Sequence, residues 1–117
     1  MAKSPEFSST SSDIEDSPEA VFQFMLEQGW SDGLPVIPPT ADRVRTMLDY
    51  AQRDAGELIG YINPDAGSAT VEKIAVNAVM AGCLPEYMPV LIAAVQAITE
   101  PSFNIHGLQT TTNPVSP

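Results

Sequence analysis

"ATVEKIAVNAVMAGCLPEYMPVLIAAVQAITE", residues 69–100, decides the fold class. Val71, Ile74, Ala75, Ala78 and Val79 recur at helical spacing, Thr70 is placed to cap that helix, and Gly82 is placed to close it. Pro85 fits the first turn of a second helix, whose body from Val90 to Ile98 is apolar almost all round. A helix of that kind is buried on more than one side. A chain this short hides it with difficulty, so a partner subunit or a further length of chain is expected to cover part of it.

Upstream, Ser17 and Pro18 start a short helix over about 18–28, with Val21, Phe22, Met25 and Leu26 on one side and Gly29 as its stop. Residues 1–16 are rich in Ser and acid and poor in apolar side chains, which predicts a disordered or partner-draped acidic arm. In "WSDGLPVIPPT", residues 30–40, Pro35 and Pro38 forbid a central strand and leave an extended loop or edge strand. Thr40 caps the next helix, whose stripe of Val44, Met47, Leu48 and Ala51 runs through about residue 54. "GELIGYINP" predicts a brief strand over 57–62, ended by Asn63-Pro64. "SFNIHGLQTTTNPVSP" begins like a short strand and ends in a Thr-rich, Pro-broken tail. The expected architecture is a helix-rich α/β domain over 17–117, with amphipathic helices and a few short strands, completed by a partner chain.

Length allows one domain with a real core at 117 residues and 44% hydrophobic composition. Fifteen acidic residues against five basic ones give a net charge of -10, which repels phosphate backbones and anionic lipid, so neither nucleic acid nor a membrane is an expected partner. There is no apolar run of membrane-spanning length and no secretory pattern at the start, which points to the cytoplasm. A single cysteine forms no internal disulfide and rules out zinc fingers and CxxC redox motifs; no metal ligand set is expected, and no cofactor is named by the residues.

The residues that could carry chemistry each have a plain structural alternative. Cys83 lies between a helix end and a helix start, where the dipole of the second helix favours a thiolate and Glu86, one turn on, opposes it; the alternative is a small core hydrophobe. His106 is the only histidine and so the only side chain that shuttles protons near neutral pH without a large shift, although His before Gly is also an ordinary turn residue. A Cys83–His106 pair would form a nucleophile and base if the two met. Trp30, Asp32 and Gly33 suit a rigid loop facing a ligand or subunit, or simply a proline-held connector. Asn77, four residues after Lys73 on a largely apolar helix, is a core hydrogen bonder or a site residue.

Three blocks, "GWSDGLPVIPPT", "ATVEKIAVNAVMAGCLPEYMPV" and "FNIHGLQTTTNP", resemble a poorly characterised bacterial family with the forms DGLPxxPPT, ATVExIAxNAVMAGCxPEYxPV and FNxHGxQxTTxP. The resemblance covers roughly residues 29–115, and the family is associated with thiol or selenol proteins of the UGSC type. Asp32, Gly33, Glu72, Asn77, Cys83, Glu86, His106 and Thr111 fall on its motif positions. Similar proteins run on into a further α/β portion, so this chain resembles the N-terminal half of a split member.

The expected function is therefore that of a small subunit in a heteromeric small-molecule enzyme. Cys83, His106 and Glu86 would be catalytic, and Trp30, Asp32, Gly33, Asn77 and Thr111 would bind substrate. The alternative is a non-catalytic assembly subunit.

Overall fold

The computed structural model describes residues 7–62 and 67–114. Among these, the elements run α1 (Pro18–Glu27), α2 (Ala41–Ala51), β1 (Leu58–Ile62), β2 (Gly67–Thr70), α3 (Val71–Met80), α4 (Met88–Thr99) and α5 (Ile105–Thr110), with single 3-10 turns at Pro85–Tyr87 and Pro101–Phe103. The fold is helix-rich with one small two-stranded antiparallel sheet.

Three helix starts follow the same local chemistry. Ser17, Thr40 and Thr70 each stand in extended backbone, and each side-chain oxygen accepts a backbone N–H three residues on, from Ala20, Arg43 and Lys73. That pairs a donor the helix itself leaves unmet. α2 stops at Ala51, short of residue 54, because Gln52 turns left-handed at φ 51° and donates to the Leu48 carbonyl. The helix expected from Pro85 begins as a 3-10 turn: the Met88 N–H bonds the Pro85 carbonyl, and Pro89 has no N–H to make the α-helical bond there.

β1 pairs with β2 through Tyr61–Ser68 and Ile62–Gly67, with an irregularity between Leu58 and Gly60. β2 was not expected, since "GSAT" lacks the β-branched and aromatic side chains that mark strands and runs straight into the Thr70 cap. Asn63 and Pro64, expected to end β1, lie outside the described residues. Gly60 faces α4 closely; a Cβ built there would lie 2.7 Å from Thr99 Cβ and 2.8 Å from Thr99 Cγ2. The missing side chain is what lets the sheet approach that helix.

The core takes the whole α3 stripe read from the sequence, Val71, Ile74, Ala75, Ala78 and Val79, and Val44 and Met47 of the α2 stripe, whose Leu48 and Ala51 are partly buried; α4, expected to be buried on more than one side, buries Met88 and Ile92 alone. α1 contributes less, because Met25 is buried while Phe22 and Leu26 remain exposed. The strand expected near Phe103 is replaced by a 3-10 turn and α5. Asn104 adopts φ 54° and accepts the Gly107 N–H at 3.2 Å, capping a helix where alternation alone suggested extension.

Residues 7–9 have a place on their own chain. Phe7 packs against the core, and Ser8 and Ser9 bond the side chain of Glu72. Residues 10–16 carry no helix or strand and are exposed. The outer side of α4 is also uncovered: Val90 is 70% exposed, and Pro89, Ala93, Ala94 and Ala97 are exposed beside it. No helix among the described residues is long and apolar enough to cross a membrane.

Candidate functional site

The loop after α1 is built from its own side chains. Gly29 turns at φ 69° and Trp30 N–H reaches back to the Met25 carbonyl at 2.9 Å. Ser31 Oγ donates to the Leu34 carbonyl at 2.7 Å and accepts the Gly33 N–H at 3.1 Å, while Asp32 Oδ1 accepts the Leu34 N–H at 3.1 Å. Such short-range side-chain bonds fix a turn without help from a sheet. The chain then crosses the end of α3, where Ile37 N–H donates to the Met80 carbonyl at 3.2 Å. Between loop and helix end lies an open groove of about 690 Å³, lined by Trp30, Asp32, Leu34, Pro35, Met80 and Ala81 among others. Trp30 is held by an edge-to-face contact with Phe24, ring centres 5.7 Å apart.

α3 closes in a Schellman turn. Gly82, at φ 77°, donates to the Val79 carbonyl, and the Cys83 N–H donates to the Ala78 carbonyl, both at 2.9 Å. Cys83 is then the residue just past the turn, half-buried and packed against the core, as the residue after such a glycine commonly is. It lies two residues beyond Ala81 of the groove wall.

Trp30 and Asp32 line the groove, while Gly33 of the same loop and Cys83 are not among its lining residues. The other candidates stand elsewhere. Glu86 lines a separate depression of about 700 Å³ with Thr46, Asp49, Tyr50, Gln52 and Pro85. Asn77 is exposed and donates to the Lys73 carbonyl of its own helix at 2.8 Å. His106 is exposed on α5, and Thr111 follows as that helix's C-cap, its Oγ1 accepting the Asn113 N–H. The Cys83 turn precedes α4 and the His106 helix follows it, so the two flank opposite ends of a 12-residue helix, about 18 Å long. Among the described residues no hydrogen bond joins them, and the nucleophile and base pairing has no support from this geometry.

A carboxylate that sequence reasoning left outside the site is the most constrained polar group described. Glu72 is 3% exposed. Its Oε2 accepts the Ser8 N–H at 3.0 Å and Ser8 Oγ at 3.2 Å, and its Oε1 accepts the Ser9 N–H at 2.8 Å and Ser9 Oγ at 2.5 Å. Burial pushes the Glu72 pKa up, but the bonds from Ser9 and Ser8 outweigh burial and hold the carboxyl below the usual glutamate range. The signal available in the sequence was an acid on the buried stripe of a helix, between Val71 and Ala75, with no basic partner at helical spacing.

Among the described residues no three His, Cys, Asp or Glu side chains gather as a metal-binding group. Comparison with known proteins finds no matching family model, no matching curated protein and no matching solved structure.

Proposed function

We propose that this chain is the small subunit of a heteromeric, cytoplasmic small-molecule enzyme, and that its contribution is one wall of the site: the Trp30–Asp32 loop and the adjoining end of α3. The observation that carries this reading is the bond from Ile37 to Met80, which brings two of the three blocks quoted above against each other around one groove. The groove is open, and an apolar surface suited to a second polypeptide is present on the same chain. Leu84, Tyr87 and Val90 follow at intervals of three and are all at least half exposed, continuing into Ala93, Ala94 and Ala97. That exposed surface also favours the second reading, an assembly subunit with no part in chemistry. The net charge of -10 argues against a nucleic-acid partner in either case.

The isolated chain is expected to self-associate with rising concentration, and Val90→Glu to reduce that association in sedimentation velocity while leaving helical ellipticity unchanged. A photo-crosslinking residue at Val90, introduced in the native host, is expected to give one defined adduct with a different polypeptide. Within that complex, Asp32→Asn is expected to raise KM several-fold without loosening assembly. Absence of any such adduct removes the subunit reading. An adduct whose activity ignores both Asp32→Asn and Trp30→Ala leaves the assembly reading in its place.

A further inference from the structure

The groove's chemistry narrows what it would hold. Its lining includes one carboxylate, Asp32, and no Lys, Arg or His. One Asp32 oxygen accepts the Leu34 N–H, a bond that orients the carboxylate by tying it to the stapled loop. Trp30 is 55% exposed, presenting indole surface at the groove. The opposite wall is the last turn of α3. The last carbonyls of that helix, Asn77 to Met80, are taken by the N–H groups of Ala81, Cys83, Gly82 and Ile37, so backbone alone satisfies them. Leu34, Pro35 and Met80 supply apolar contact in the groove.

An anion would meet the Asp32 carboxylate and no cationic side chain. A neutral apolar molecule would gain the indole and Met80 but leave the carboxylate unanswered. A small organic cation meets both an aromatic face and a carboxylate, with apolar contacts for its alkyl groups. Resting on the reading of this groove as the small-molecule site, we propose that it binds a substituted ammonium ligand, with Trp30 against the alkylated nitrogen and Asp32 as its counter-ion.

Trp30 is the only tryptophan, so its fluorescence reports on the groove in the unaltered full chain. Choline is the charged probe, and 3,3-dimethylbutan-1-ol is its uncharged isostere of similar shape. Choline is expected to change the emission saturably, with affinity falling as ionic strength rises. Asp32→Asn keeps the acceptor for the Leu34 N–H and so keeps the loop; it is expected to weaken choline about three- to fivefold, as for an exposed charge pair, and to leave the alcohol unaffected. Far-UV ellipticity of the variant checks that the fold is retained, and the salt dependence of the unsubstituted chain gives an answer that needs no variant. If the alcohol binds as tightly as choline, the cation assignment falls and the groove remains a small-molecule site. If neither probe moves the emission of Trp30, both fall.

Discussion

Glu72→Gln is expected to lower the unfolding free energy by about 2–3 kcal/mol and the melting temperature by on the order of 10 °C. The carboxylate accepts four hydrogen bonds from Ser8 and Ser9 while 3% exposed. Bonds to a charged group contribute about 1.5–3 kcal/mol each, and ordering residues 7–9 costs about 1–2 kcal/mol per residue, so the net is a fraction of the gross. An amide in place of the carboxylate keeps one acceptor and turns a donor toward a backbone N–H, a clash that rotation of the neighbouring serine hydroxyl does not relieve. Loss of protection at the Ser8 and Ser9 amides in hydrogen exchange, together with the lower urea midpoint, identifies the arm as what was released. A Glu72→Gln chain with unchanged midpoint and protected amides contradicts this account. The sign with pH follows from the same bonds. The folded-state pKa of Glu72 lies below the unfolded value of about 4.3, so this stabilisation is fully present above that value and is lost as pH falls through the lower, folded-state one. The Gln variant is expected to lack that part of the acid dependence.

Gly60→Ala is the second large effect, expected to cost about 1–3 kcal/mol by overpacking. The new methyl group would fall within 2.8 Å of two Thr99 carbons. Thr99 has little freedom to withdraw, since its hydroxyl donates to the Val95 carbonyl at 2.8 Å and lies 3.1 Å from that of Gln96. Either β1 shifts away from α4 or the helix end unwinds. Thr99→Ala is expected to rescue only partly, because its Cβ remains in the way, and urea titration of the two single variants and the double variant measures this. Equal stability of Gly60→Ala and the parent chain would mean that sheet and helix separate at no cost.

What was legible in the sequence was local. Ser17, Thr40 and Thr70 cap as their types suggest, and the stripes of α2 and α3 became the core because 3.6-residue periodicity leaves little choice of face. β2 escaped because four small residues carry no strand signature, and α5 because a left-handed Asn104 cap overrode the apparent alternation of Phe103 and Ile105. Of the candidate site, turn chemistry pointed to the loop of Trp30, Asp32 and Gly33, but the approach of that segment to the end of α3 depends on a tertiary bond that no spacing encodes. Cys83 precedes α4 and His106 follows it, and whether the two meet is something no spacing in the sequence encodes. Glu72 was visible only as an acid on an apolar stripe, since its serines lie 63 and 64 residues away.

That separation sets an order of events during synthesis. Phe7, Ser8 and Ser9 leave the ribosome long before Glu72 does, so the arm waits in solvent until α3 exists. The length-dependent part of the entropy of closing a loop of 64 residues is about 3.7 kcal/mol. Docking becomes favourable only once α2, the sheet and α3 have shortened that path by folding. Residues 7–9 are thus made well before their partner and are among the last of the described residues to find their place.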